Sequence, residues 1–189
     1  MSLVIWLLAC PYPASYTDTG DPPVDRNLAA DTIPLSIVGT PCDACDGACI
    51  EENVQYELRY HTWDPIDYAD RPPAGGPHNY CWTDWTVHDE VVLDDNWVHN
   101  LEHGGVVLLY NCPDGCPEDV AAMATLATSL GDYVVMTEDP EMDSRFAMTA
   151  WFYRLKTDCF DEARAAQFYA DHVSQGPEAT MSSVPEACY

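Results

Sequence analysis

Nine cysteines stand in a chain of 189 residues, and that density restricts what can be built before any apolar pattern is read. It implies covalent staples or a bound metal, and it limits the compartment in which the chain matures. Cys10 differs from the other eight. It ends the segment Ser2-Leu3-Val4-Ile5-Trp6-Leu7-Leu8-Ala9, whose apolar run is too short to span a bilayer but suits a signal-peptide core. Leu7-Leu8-Ala9-Cys10 resembles a bacterial lipobox, where cleavage leaves the cysteine as a lipid-bearing N-terminus. Residues 1–9 are therefore expected to be a signal peptide. Eight cysteines, an even number, then remain for disulfide bonds in an oxidising compartment. The expectation is a lipoprotein of the bacterial cell envelope, membrane-anchored through lipid only, on the periplasmic or outer-membrane side.

Charge narrows the partners. With 32 Asp and Glu against 7 Lys and Arg, the formal net charge is −25, so a phosphate backbone would be repelled and nucleic acid is excluded as a ligand. No Lys or Arg lies between Arg71 and Arg145, while acids recur throughout that interval. An acidic protein of this kind favours cations, metals included. From Pro11 to about Pro34 the chain is rich in Pro, Asp, Thr and Gly without an apolar period, so it cannot offset its ordering entropy. We read residues 10–36 as the lipidated cysteine with a flexible acidic tether, and 37–189 as a single domain.

Within that domain Gln55–His61 alternates and reads as a strand. Residues 68–80 form a proline- and glycine-rich loop. Asp95 as N-cap and Gly104 as the residue beyond the C-cap bracket a short helix. Val106–Tyr110 is a continuous apolar run, as expected of a central buried strand. Pro117 opens a second helix whose stripe Val120, Met123, Ala124, Ala127, Leu130 ends at Gly131, and Tyr133–Met136 is the next strand. This is a β-α-β unit. Phe146–Trp151 and Phe152–Lys156 suggest further strands, and Phe160–Val173 a last amphipathic helix. The fold class expected is α+β or α/β: a disulfide-rich mixed sheet with flanking helices, compatible with a thioredoxin-like layer.

The strongest chemical signal is His99-Asn100-Leu101-Glu102-His103, since residues at i and i+4 share a helical face and two imidazoles can reach one ion. It has the H-x-x-E-H form of the inverted metalloproteases, but Gly104-Gly105 stops the helix directly after His103, which a catalytic helix would not do. His78, delivered by Gly75-Gly76-Pro77, is the natural third ligand. Glu102 is assigned a supporting bond behind the ligands, and Met148 a soft axial position that would favour copper over zinc. His61 and His88 suit surface or capping roles, and His172 is expected to face water. Cys42, Cys45 and Cys49 suit an oxidised knot with partners among Cys81, Cys112, Cys116, Cys159 and Cys188, whose connectivity the sequence leaves open. No serine elbow, P-loop or dinucleotide fingerprint is present.

Taken together, Pro72–His78, Val98–Tyr110, Thr149-Ala150-Trp151 and Gln175-Gly176-Pro177-Glu178 resemble the bacterial domain of unknown function DUF3105, over roughly residues 60–178. The resemblance implies an extracytoplasmic domain, often membrane-tethered, with shared histidines and no assigned activity. Separately, Cys112-Pro113-Asp114-Gly115-Cys116-Pro117 resembles the site of the Sco copper-handling proteins, in which two thiols and a distant histidine bind copper. The expected function is binding of a transition metal ion, copper before zinc, through His78, His99, His103 and Met148. The alternatives are a Sco-like thiol or copper-transfer protein using Cys112 and Cys116, and a metal-free structural or partner-binding domain.

Overall fold

Residues 32–179 are described by the computed structural model; Cys10, the leader before it and Cys188 lie outside them. Along the chain run β1 (Thr32–Pro41), β2 (Ala48–Tyr56), the two-residue strands β3 (His61–Thr62) and β4 (His78–Asn79), α1 (Asp94–Glu102), β5 (Val106–Tyr110), α2 (Pro117–Leu130), β6 (Val134–Glu138), β7 (Phe146–Ala150), β8 (Tyr153–Thr157) and α3 (Glu162–His172). Six strands make one sheet in the order β1-β2-β8-β7-β5-β6. Among the described residues its only parallel pair of strands is β5 with β6, the pair joined through α2. All its other neighbours are antiparallel. This is the expected mixed α+β sheet with its β-α-β unit, and β8-β7-β5-β6 has the order and directions of a thioredoxin-like layer.

Both faces of the sheet are covered, which is why β5 is apolar at every position. Alternate residues divide between the faces. Val106 and Leu108 join Val134, Met136, Phe146, Met148 and Leu155 beneath Met123 and Leu126 of α2 and Phe168 of α3. Val107 and Leu109 join Val135, Ala147 and Trp151 against Trp97, Val98 and Leu101 of α1. The β6 edge is closed by the segment before α1, where the His88 amide donates to the Met136 carbonyl at 2.8 Å and the Met136 amide to the Thr86 carbonyl at 3.0 Å. No helix among the described residues is long and apolar enough to cross a membrane.

The first two strands differ from the expectation. The strand read at 55–61 lies earlier, at Ala48–Tyr56, and pairs with β1, which begins at Thr32 inside the stretch read as tether. The turn between them is fixed by sulfur and a carboxylate, with no apolar period to announce it. Cys42 bonds Cys49, and Cys45 reaches 114 residues along the chain to Cys159. Cys112 bonds Cys116, and Cys81 is disulfide-bonded as well. The Cys42–Cys49 segment is thus stapled to the body of the domain.

Asp161 holds the same corner without covalent bonds. One carboxylate oxygen accepts from the Asp43 amide at 2.8 Å and from Ala44 at 3.2 Å; the other caps α3 through the Arg164 amide at 3.0 Å. Burial alone would raise its pKa, but these backbone donors outweigh it and hold the carboxyl below its ordinary value. The stability it supplies is therefore full above the unfolded carboxylate pKa, about 3.9, and lost as pH falls through the lower folded value. Asp161→Ala should cost about 1–2 kcal/mol at pH 7, and denaturant melts of the two proteins should converge as pH falls through the lowered folded value. A gap unchanged at low pH would show that the carboxylate charge is not the source.

Candidate metal centre

The histidines gather on the α1 face of the sheet, and each is set there by a different local cause. Helix α1 ends in paired bonds, from the Gly104 amide to the Leu101 carbonyl at 2.9 Å and from the Gly105 amide to the Asn100 carbonyl at 2.9 Å. This is a Schellman termination, and Gly104 at φ +88° supplies the left-handed residue it requires. The orphan carbonyls beyond are taken by a later segment. Glu178 donates its amide to the Glu102 carbonyl at 3.0 Å, and Ser174 to that of Gly104 at 2.8 Å. Between them Gly176 lies so close that a Cβ would sit 2.3 Å from the Glu102 carbonyl oxygen and 2.5 Å from the Gly104 nitrogen. Gly176→Ala must therefore push the segment off the helix end; we expect a loss of about 1–3 kcal/mol in thermal or denaturant unfolding, and wild-type stability would contradict this packing.

The second source is the loop before β4. Its carbonyls are held at Pro73 by Thr149 Oγ1 at 2.8 Å, at Pro72 by Arg154 Nη1 at 3.2 Å and at Pro77 by the Tyr68 hydroxyl at 2.5 Å. Arg154 is itself bonded to buried Glu52. Gly76, at φ +98°, packs where a Cβ would meet the Tyr56 ring at 2.8 Å. This fixed loop delivers His78 with no exposed surface. On the neighbouring strand His61 is the direct register partner of His78, the rings meeting edge to face at 4.6 Å.

The side chains converge on Glu102, which is buried to 1% exposure. Its Oε2 lies 3.0 Å from His78 Nε2, 3.4 Å from His61 Nε2 and 4.0 Å from His99 Nε2; its Oε1 faces Arg59 Nη1 at 3.2 Å. One donor atom from each of His61, His78, His99 and Glu102 lies within 4.8 Å of the other three. His103, at the C-cap of α1, places Nε2 3.1 Å from His99 Nε2. Trp82 stands edge-on to His99 and His103 at 4.8 and 5.0 Å, Trp151 to His78 at 6.1 Å, and Tyr80 stacks on His61 at 5.2 Å. The shell around the polar atoms is aromatic.

His78 Nδ1 donates to the Gly76 carbonyl at 2.8 Å and His99 Nδ1 to the Asn79 carbonyl at 2.7 Å. Nδ1 anchored in this way aims Nε2 inward, and a metal-ligating histidine held so presents the Nε2 lone pair to the ion. Burial, with the neighbouring charges of His78, His61 and His103 and against the Asn79 bond, pushes the His99 pKa down to about 3. Burial pushes His103 down too, against the pull of Glu178 and Glu102. For Glu102 burial works upward, but hydrogen bonds from His61 and His78 outweigh it and hold the carboxyl well below its usual range. A buried ionised carboxylate therefore stands among inward-aimed imidazole nitrogens, hydrogen-bonded by His61 and His78 and paired with Arg59, and a cation can take the place of the imidazole protons.

Of the residues expected from sequence, His78, His99 and His103 are brought together. Met148 is not: on β7 it pairs with Leu108 and Leu155 and points into the α2–α3 core, with the sheet between it and the histidines. Strand parity forces this, since Ala147 takes the α1 face. Glu102, read as standing behind the ligands, is at their centre, because i and i+3 share a helical face as i and i+4 do. His61 joins through a two-residue strand that no local period marks. His172, expected in water, is 8% exposed and stacks on Tyr153 at 4.1 Å with Nε2 3.2 Å from Glu51. His88 stays with Thr83 and the Asp84 carbonyl, away from the cluster. Among the described residues, no convergent group of three or more such donors contains Cys112 or Cys116, so a Sco-like copper site there lacks its histidine.

A family model, described as Protein of unknown function (DUF3105), matches residues 61–184, more than half of the chain and all of the histidine cluster. No curated protein and no solved structure matches.

Proposed function

We propose, for a chain that belongs to the DUF3105 family, that the domain holds one divalent transition-metal ion outside the cytoplasm through Nε2 of His61, His78 and His99 and Oε2 of Glu102. The observation that carries this is the convergence of four ligand atoms within 4.8 Å of one another, two of the histidines committed through Nδ1 to backbone carbonyls, around a buried ionised carboxylate. Three imidazoles and a carboxylate suit zinc(II) and copper(II); copper(II) is the tighter by the intrinsic order of divalent affinities. With Met148 on the other face of the sheet, the thioether argument for copper(I) falls away. His103 bonds His99 and stands ready as an alternative nitrogen donor.

Four protein donors complete a tetrahedral shell, the closed form of a metal site. His78, His99 and Glu102 are all but inaccessible, and His61 is the one of the four partly open to solvent. Such a centre retains an ion, for sequestration or structural support, in preference to activating a bound water. The cellular setting we propose is the envelope, with the domain tethered through a lipid on Cys10; the lipobox-like sequence supports it, as do disulfide bonds that persist only in oxidising surroundings.

Titration of chelator-stripped protein by calorimetry tests the reading. One equivalent of zinc or copper(II) should bind, and the combined variant His78→Ala, His99→Ala, His103→Ala should bind none at that affinity. Unchanged stoichiometry in the combined variant would leave the metal-free interaction domain as the better account.

A further inference from the structure

The bond between Cys112 and Cys116 is used by neither the metal centre nor the staple at the N-terminal hairpin. It closes a ring of only four residues' separation, against 114 for Cys45–Cys159, so it restrains the chain least among the bonds whose partners are described. Its place in the fold is particular. β5 is an interior strand, with β6 parallel on one side and β7 antiparallel on the other, and the cysteines stand beyond its carboxyl end. Open sheets with parallel β-α-β connections build their sites at that position. Cys116 is the N-cap residue of the 14-residue α2 and makes no side-chain capping bond.

Access is unequal across the pair. Pro113, Asp114 and Gly115 form the loop between them, in which Asp114 and Gly115 are exposed; Cys112 is half-buried and Cys116 is buried. Alongside runs the β6–β7 connection, tied down by Asn111: its amide donates to the Arg145 carbonyl at 2.8 Å and its Nδ2 to the Met142 carbonyl at 2.7 Å. One sulfur is thus presented between an exposed loop and a fixed, largely exposed segment. The other lies behind it at a helix start, where partial positive charge stabilises a departing thiolate.

We propose that Cys112–Cys116 is a thiol–disulfide exchange site that takes two electrons from a dithiol of a protein with a basic face. A thiolate of that partner attacks Cys112 Sγ, and the Cys112–Cys116 bond breaks with its electron pair leaving on Cys116 Sγ. The partner's second thiolate then attacks the partner sulfur of the mixed disulfide and expels Cys112. The partner ends as a disulfide, and its two protons pass to Cys112 and Cys116. Charge selects the partner: the cysteine loop and first turn of α2 carry Asp114, Glu118 and Asp119 and no Lys or Arg, which favours cationic thiols and repels anionic ones.

The test equilibrates the intact protein in reduced and oxidised dithiothreitol, blocks free thiols and maps them by mass spectrometry. Cys112–Cys116 should open with an equilibrium constant at least about 100-fold larger than that of Cys42–Cys49 or Cys45–Cys159, which is about 59 mV at about 29.6 mV per decade. Cysteamine should open it at least about ten times faster than 2-mercaptoethanesulfonate at low ionic strength, and the ratio should shrink in high salt. The double variant Cys112→Ser, Cys116→Ser should keep the wild-type fold and metal stoichiometry. Opening together with or after the other bonds, equal rates for the two thiols, or failure of the double variant to fold would each overturn the proposal and leave a structural bond.

Discussion

Metal-stripped protein carrying His78→Ala should bind zinc or copper(II) on the order of 10³-fold more weakly than wild type, since removing a ligand costs more than the roughly 10–100-fold loss typical of an outer-shell partner. The size follows from how His78 is held. Its ring is fully buried, its Nδ1 is committed to the Gly76 carbonyl, and its loop is bonded to Thr149, Arg154 and Tyr68. Glu102→Gln should weaken binding by a comparable factor, because it keeps the shape and removes the charge. His88→Ala, remote from the cluster, should leave affinity unchanged. Competition against a chromophoric chelator measures all three; equal affinity for wild type and His78→Ala would remove His78 from the site.

The largest change in stability is expected from Cys45 and Cys159. Their bond closes a loop with a separation of 114 residues and ties the turn of the β1–β2 hairpin to the segment ahead of α3. The chain-entropy model assigns a loop of that size about 5 kcal/mol, and removal of native disulfides from small secreted domains typically costs about 2–5. Cys45→Ser with Cys159→Ser should therefore lower unfolding free energy by about 2–5 kcal/mol in denaturant melts, with Asp161 left as the main remaining tie of that corner. A loss below about 1 kcal/mol would mean that Asp161 and the sheet suffice.

What the sequence displayed was the part of the fold governed by local rules. The apolar run of β5, Pro117 at the start of α2 and Gly131 at its end mark the β-α-β unit, and Gly104-Gly105 marks the end of α1. The hairpin of β1 and β2 was not legible, because a cysteine and aspartates from 110–118 residues away hold its turn. The candidate site divides in the same way. His99 and His103 show themselves by helical spacing, and His78 by the loop that delivers it. His61 depends on pairing between two-residue strands, a tertiary event. Met148 was misplaced because strand parity separates it from Ala147 but does not say which face α1 will cover. On α3, His172 was expected in water although it falls on the same helical stripe as the buried Ala165 and Phe168.

Crystals of the zinc- or copper-loaded protein, measured on both sides of the metal absorption edge, test the central claim most directly. The account predicts a single strong anomalous peak about 2.0–2.2 Å from Nε2 of His61, His78 and His99 and from Oε2 of Glu102. A peak placed among surface carboxylates, with His78 Nε2 still bonded to Glu102 alone, would contradict it.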